Sequence, residues 1–102
     1  MTFSNANLFP LSAGILPNGH LSIGGCDVGN LVAEFGTPLY IFDEETIRGM
    51  CREFLMRFSH YYPDTRVLYA CKAFANPAIL KLIKEEGLGI DIVSGGELAV
   101  AQ

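Results

Sequence analysis

The chain has 102 residues and a formal net charge of −4, and half of its residues are hydrophobic. This composition is typical of a small globular domain and argues against a disordered or fibrous chain. The seven basic residues are scattered along the chain, which argues against a protein that binds nucleic acid or an anionic membrane surface.

The start of the chain, MTFSNANLFP, lacks a basic region followed by an apolar one. No apolar run approaches the roughly 18 residues of a membrane span. We therefore expect a soluble, cytoplasmic protein. Cys26, Cys51 and Cys71 form no CxxC pair, so we predict neither a disulfide framework nor a metal site.

Two elements are predicted near the N-terminus. In GILPNGHLSIGG, residues 14–25, short apolar runs flank a Pro-Asn-Gly sequence that suits a tight reversal, so we predict a hairpin. Apolar residues at helical spacing then predict a short amphipathic helix over residues 28–35. Asp27 is its expected cap, and Gly36 is expected to end it.

The next segment predicts a strand and a longer helix. The run PLYIF, residues 38–42, has the composition of a compact strand. Asp43 then has the position of a helix cap, and apolar residues recur at helical spacing over residues 44–58. We expect Phe54 and Phe58 on this helix to pack in the core.

The second half of the chain alternates strands and helices. We predict a turn over residues 60–66, a strand over 67–70, a helix over 77–86 between Asn76 and Gly87, a strand over 88–94, and a helix that begins at Ser94. This βαβα order predicts parallel strands covered by helices. A (β/α)8 barrel and an open doubly wound sheet both begin in this way.

Lys72 and Asp91 are the candidate functional residues. Side chains alternate along a strand, so we expect Lys72 to share a face with Ala70, and Asp91 lies on the next parallel strand, so the two charges can meet. An isolated interior charge costs several kcal/mol unless it is paired or binds a cofactor. The alternative is a pair of surface charges at strand ends. The small residues Ala73 and Ala75 leave room around the lysine and favour a functional role.

The predicted surroundings of Lys72 suit a particular chemistry. A low-dielectric environment lowers the pKa of a lysine, and only the neutral amine attacks an aldehyde. That reaction suits pyridoxal phosphate. The carboxyl end of a strand is also where parallel α/β proteins place reactive groups.

Other polar residues predict structural roles. Ser94 and Glu97 match a capping box, a role compatible with a place in an active site. His20 and His60 are expected in solvated turns without a partner at ligand spacing. Cys71 is expected to be a small core residue. The sequence contains no GxGxxG or P-loop pattern.

Two segments carry a specific resemblance. FGTPLYIFDEETIR and VLYACKAFANPAILKLIKEEGLGIDIVSGGEL closely resemble the N-terminal part of the diaminopimelate decarboxylases, members of the barrel-type pyridoxal-phosphate decarboxylases that include the ornithine and arginine enzymes. The earlier segment LFPLSAGILPNGHLSIGGCDV is also similar to the diaminopimelate enzymes. The resemblance covers nearly the whole chain.

The resemblance implies a fold and a set of site residues. It implies the first two β/α units of a pyridoxal-phosphate-binding (β/α)8 barrel, with residues 37–102 as the start of the barrel and residues 1–36 associated with a C-terminal β domain. Lys72 is then bonded covalently to the cofactor, and Ala70 and Asp91 line the cofactor site nearby.

The resemblance also implies an activity, the decarboxylation of meso-2,6-diaminopimelate to L-lysine and CO₂ by a homodimer in the last step of lysine biosynthesis. Two alternatives are another basic amino-acid or polyamine-precursor decarboxylase of this family, and a noncatalytic homologue that binds pyridoxal phosphate. The final residues, SGGELAVAQ, begin a helix without an end signal, so we expect an incomplete chain that is inactive and unstable alone.

Overall fold

The computed structural model describes residues 4–102. The first three residues of MTFSNANLFP, the segment in which no leader is expected, lie outside the described residues. The chain divides into two compact units, Met1–Ile47 and Arg48–Gln102. No helix within residues 4–102 is long and apolar enough to cross a membrane.

The first unit contains a three-stranded antiparallel sheet. Its strands are β1 (Gly14–Ile15), β2 (Leu21–Ile23) and β3 (Cys26–Asp27), in that spatial order. The turn between β1 and β2 contains Gly19 at a φ angle of 83°, a conformation that glycine adopts without strain. The predicted hairpin is confirmed.

Helix α1 (Val28–Phe35) follows the sheet directly. The carboxylate of Asp27 accepts a hydrogen bond from the amide of Gly29 at 2.8 Å, and Gly36 ends the helix at a φ angle of 79°. Both predicted helix boundaries are therefore confirmed.

Asp27 also binds His20. The ring atom Nδ1 of His20 lies 2.9 Å from Oδ2 of Asp27. His20 is exposed, as predicted, and the hairpin also brings it to Asp27, seven positions away in the sequence, a contact that residue spacing did not predict. The hydrogen bond from His20 is the main reason that the pKa of Asp27 lies below its ordinary value.

Residues 38–42 form no strand. A strand requires a ladder of hydrogen bonds to a neighbour, and this segment pairs with none of the five strands in the described part of the chain. Tyr40 is 89% exposed. The strand predicted from PLYIF was wrong, because its composition satisfies strand propensity but supplies no pairing partner.

Helix α2 (Glu44–Tyr61) is longer than predicted. His60 lies in its last turn, with its ring edge-on to that of Tyr61, so the expected turn begins later. Phe54 and Phe58 stack with their ring centroids 6.2 Å apart but are 54% and 53% exposed. The expectation that these two rings lie in the core was wrong for the described residues, since helical spacing identifies an apolar face but not what covers it.

The second unit has the predicted alternation of strand and helix. Its elements after α2 are β4 (Leu68–Ala70), α3 (Pro77–Glu85), β5 (Gly89–Asp91) and α4 (Gly95–Ala101). Strands β4 and β5 pair in parallel, as the βαβα order predicted. The side chains buried most deeply in this unit are Cys51, Cys71, Leu80 and Ile83.

A network of ion pairs joins α2 to the end of α3. Arg52 donates two hydrogen bonds to the carboxylate of Glu86, at 2.8 and 2.9 Å. Arg48 binds Glu86 at 2.9 Å and Glu85 at 2.6 Å. The side chain of Glu86 is only 9% exposed. The hydrogen bonds from Arg52 and Arg48 hold the pKa of Glu86 below its ordinary value despite this burial.

Candidate active site

The candidate site lies at the carboxyl ends of β4 and β5. Ala70 and Asp91 are partners in the parallel register, and each is the last residue of its strand. This edge of a parallel α/β unit is where functional groups are usually placed. The structure therefore brings together two of the three residues predicted from the sequence.

Lys72 follows β4 but is not part of it. Residues Cys71–Ala73 form a single 3₁₀ turn. The prediction that Lys72 shares a strand face with Ala70 was wrong, because side chains alternate only along an extended chain. The paired part of β5 ends at Asp91, opposite Ala70, so the register gives Lys72 no ladder partner there.

Cys71 is the buried residue of this turn. Its side chain is fully buried, which confirms the expected core role. Burial, followed by the negative charge of Glu97, raises the pKa of the Cys71 thiol and keeps it protonated. The buried Cys71 side chain therefore packs the turn against the unit.

Lys72 itself is exposed, as is Asp91. No ion pair within 4 Å joins these two side chains. The low-dielectric surroundings expected for Lys72 are thus not supplied by residues 4–102. The structure places the two groups on one edge without a direct bond between them.

Tyr69 is a residue of this site that the sequence patterns missed. Its hydroxyl donates a hydrogen bond to the backbone carbonyl of Phe74 at 2.9 Å. Burial, followed by the neighbouring Cys71, raises the pKa of the Tyr69 phenol, so it remains a donor. No signal in residue spacing predicts a bond from a strand tyrosine to a loop carbonyl.

The start of α4 adds a carboxylate near this edge. Ser94 Oγ accepts a hydrogen bond from the amide of Glu97 at 3.1 Å, as a capping box requires. The reciprocal bond differs from the prediction, because the Glu97 carboxylate accepts from the amide of Val93 at 2.6 Å rather than from Ser94. Glu97 thus holds the segment that leaves β5. Within residues 4–102, no group of three or more His, Cys, Asp or Glu residues is arranged to hold a metal ion.

Residues 48–102 match the family described as pyridoxal-dependent decarboxylase, pyridoxal binding domain. The chain belongs to this family. The matched region contains β4, β5 and the three predicted site residues, and the resemblance drawn from the motifs is confirmed.

Curated relatives point to one branch of the family. The diaminopimelate decarboxylase of Synechocystis sp. is 50% identical to this chain over 95 residues, which are 92% of this chain and 20% of the relative. The diaminopimelate decarboxylase of Methanothermobacter thermautotrophicus is 49% identical over 83 residues, or 81% of this chain and 19% of the relative. This chain thus spans about a fifth of the length of these relatives.

A solved structure has a similar backbone. The diaminopimelate decarboxylase of M. jannaschii, in complex with L-lysine, matches with a TM-score of 0.78 and 38% identity. The match covers 89% of this chain and 22% of that one. The mixed α/β architecture of the chain is therefore shared with an enzyme of this family.

Proposed function

We propose that this chain is the N-terminal part of a diaminopimelate decarboxylase, which converts meso-2,6-diaminopimelate to L-lysine and CO₂. The observation that carries this proposal is the 50% identity to the Synechocystis enzyme over 92% of the chain. The match to the M. jannaschii enzyme, solved with L-lysine, supports the same substrate class.

The residues at the strand edge fit pyridoxal phosphate. Lys72 supplies a primary amine on an exposed turn, and no carboxylate in the described part of the chain forms an ion pair with that amine. Ala70, Ala73 and Ala75 carry only methyl groups, which leave room for a ring beside the amine. When bound, pyridoxal phosphate supplies an electron sink for the electron pair left behind when CO₂ departs.

Each site residue has a distinct task in this proposal. The Lys72 amine would hold the cofactor covalently and would be the group that supplies the proton replacing the carboxylate. Asp91 would present a carboxylate to the site from the end of the neighbouring strand. Ala70 leaves space between them.

The same comparison supports a larger architecture. We assign β4, α3, β5 and α4 to the first two units of a (β/α)8 barrel that begins at residue 37, and residues 1–36 to a β domain completed by later strands. The antiparallel sheet of the first unit supports the β assignment. A homodimer in the cytoplasm completes the proposal, and the three free cysteines fit that reducing compartment.

The longer protein that carries this chain at its N-terminus, hereafter the full-length protein, provides the test. Purified with pyridoxal phosphate, it should release L-lysine and CO₂ from meso-diaminopimelate. The kcat/KM for L-ornithine and L-arginine should be lower by at least about 100-fold. A substrate whose distal polar group does not match the site leaves buried polar groups of the protein without a hydrogen-bond partner.

The other outcomes are equally informative. Preference for ornithine or arginine would assign the protein to another branch of the family. Cofactor binding without turnover of any of the three substrates would identify a noncatalytic homologue. Either result would overturn the proposed function.

A further inference from the structure

The Tyr69 side chain spans the turn that carries Lys72. Its backbone lies in β4, whereas its hydroxyl donates to the carbonyl of Phe74, five residues later. This hydrogen bond joins the two ends of the segment 69–74, and Lys72 lies within that segment. We propose that Tyr69 is a positioning residue, which holds the backbone of this turn so that the Lys72 amine is presented to an aldehyde. This inference rests on the proposed function.

The backbone is held by hydrogen bonds on both sides of this segment. On the incoming side, Tyr69 pairs with Ile90 and Ala70 pairs with Asp91 in the parallel ladder. On the outgoing side, the Asn76 side chain caps α3 by accepting a hydrogen bond from the amide of Ala78 at 2.9 Å. The conformation of the intervening turn therefore sets the direction in which the Lys72 side chain points.

Packing alone gives this turn little support. Cys71 is fully buried, but every residue from 72 to 78 is exposed. An exposed backbone segment opens easily unless hydrogen bonds restrain it. The hydroxyl of Tyr69, a partly buried residue, supplies such a restraint by donating to the backbone of the exposed segment.

The contribution is positional because the hydroxyl binds a backbone carbonyl and not the Lys72 side chain. Without this bond, the amine would sample a wider set of directions, and fewer of them would suit attack on a fixed aldehyde. Losing one restraint on a reacting group of this kind should slow capture by about 5- to 10-fold.

The test measures capture of the cofactor rather than turnover. Full-length protein freed of cofactor is mixed with excess pyridoxal phosphate, and the rate at which the bound cofactor's absorbance appears is recorded. Borohydride reduction and peptide mass analysis then show whether Lys72 carries the cofactor. Hydrogen exchange of residues 71–75 is measured in parallel.

Tyr69→Phe removes only the donor. We expect its capture rate to fall by about 5- to 10-fold per folded molecule, with faster exchange confined to residues 71–75. Para-aminophenylalanine at position 69 keeps a donor and should restore the rate. Tyr40→Phe is the matched control, since Tyr40 is 89% exposed, and it should change neither quantity. If Tyr69→Phe does not fold, 4-fluorophenylalanine replaces it as a donor-free ring.

Two failures can be told apart. If wild-type protein captures the cofactor at Lys72 and the donor-free variant does so equally fast, the positioning role is wrong and the proposed function stands. A lowered melting temperature with unchanged capture would also overturn the positioning role, since a purely structural bond behaves in that way. If wild-type protein carries no cofactor at Lys72, the proposed function fails and this inference fails with it.

Discussion

The buried carboxylate of Asp43 accepts hydrogen bonds from both the hydroxyl and the amide of Ser12, at 2.7 and 3.4 Å, across 31 residues of sequence. The same carboxylate accepts from the amide and the hydroxyl of Thr46 in the first turn of α2. One side chain therefore caps a helix and fastens a distant loop to it. Removing it should destabilise the first unit.

Replacing Asp43 by Ala should lower the free energy of unfolding of the full-length protein by about 1–3 kcal/mol, because a helix cap is lost and the partly buried donors of Ser12 and Thr46 are left unpaired. Chemical denaturation measures this change. Glu34→Ala, an exposed residue of α1, is the control and should cost less than about 0.5 kcal/mol. An Asp43 variant as stable as the control would contradict this assignment.

The Asp43 contribution should also depend on pH. Burial raises its pKa, but hydrogen bonds from Thr46 and Ser12 outweigh burial, and the net pKa is lowered. A lowered folded-state pKa stabilises the fold above the unfolded value of about 4, and this stabilisation is lost as pH falls through the folded value. The stability gap between wild type and Asp43→Asn should therefore be full at pH 7 and shrink below about pH 4. If the difference in free energy of unfolding between the two proteins instead widens as the pH falls, the lowered pKa of Asp43 is contradicted.

The ion pairs at Glu86 should matter more than an ordinary surface pair. Glu86→Gln removes the charge that binds both Arg48 and Arg52 and should lower the melting temperature of the full-length protein. Glu53→Gln is the matched control, since Glu53 pairs with Arg57 across one exposed turn and such pairs contribute little. Equal decreases in melting temperature for the two variants would show that the Glu86 network contributes no more stability than a surface pair.

Asp91→Asn should lower turnover without unfolding the protein. The side chain is exposed at the end of β5, so stability should change little, whereas loss of its charge at the proposed cofactor site should cost at least about tenfold in kcat. Asp64→Asn, at an exposed turn position, should leave both quantities unchanged. Unaltered kcat for the Asp91 variant would remove it from the site.

The isolated 102-residue chain should lack a cooperative unfolding transition. Its second unit buries few apolar side chains, and Phe54, Phe58 and Leu68 are more than half exposed. Strands β4 and β5 form a sheet of two strands, which is marginal in water. Calorimetry of the isolated chain should give no sharp peak, and a sharp, reversible peak would show that the chain is a folding unit.

Local chemistry accounts for the elements that the sequence predicted well. Asp27, Asn76 and Ser94 each place a side-chain acceptor one residue before a helix, and all three cap helices as predicted. Gly36 and Gly87 have positive φ angles where those helices were expected to end. These signals depend on neighbouring residues, so the sequence alone is sufficient.

Non-local contacts account for the errors. The PLYIF segment has strand propensity, but its state depends on a pairing partner elsewhere in the chain. The exposure of Phe54 and Phe58 likewise depends on what covers α2. The candidate site shows the same division, since the motif predicted Lys72 and Asp91 as site residues, whereas the 3₁₀ turn and the Tyr69 hydrogen bond depend on the three-dimensional path of the backbone.

The most direct test of the central claim identifies the lysine that holds the cofactor. Full-length protein loaded with pyridoxal phosphate is reduced with borohydride and digested, and the modified peptide is sequenced by mass spectrometry. The cofactor mass should lie on Lys72, should vanish in Lys72→Ala and should persist in Lys81→Ala. Modification of another lysine, or of none, would contradict the account.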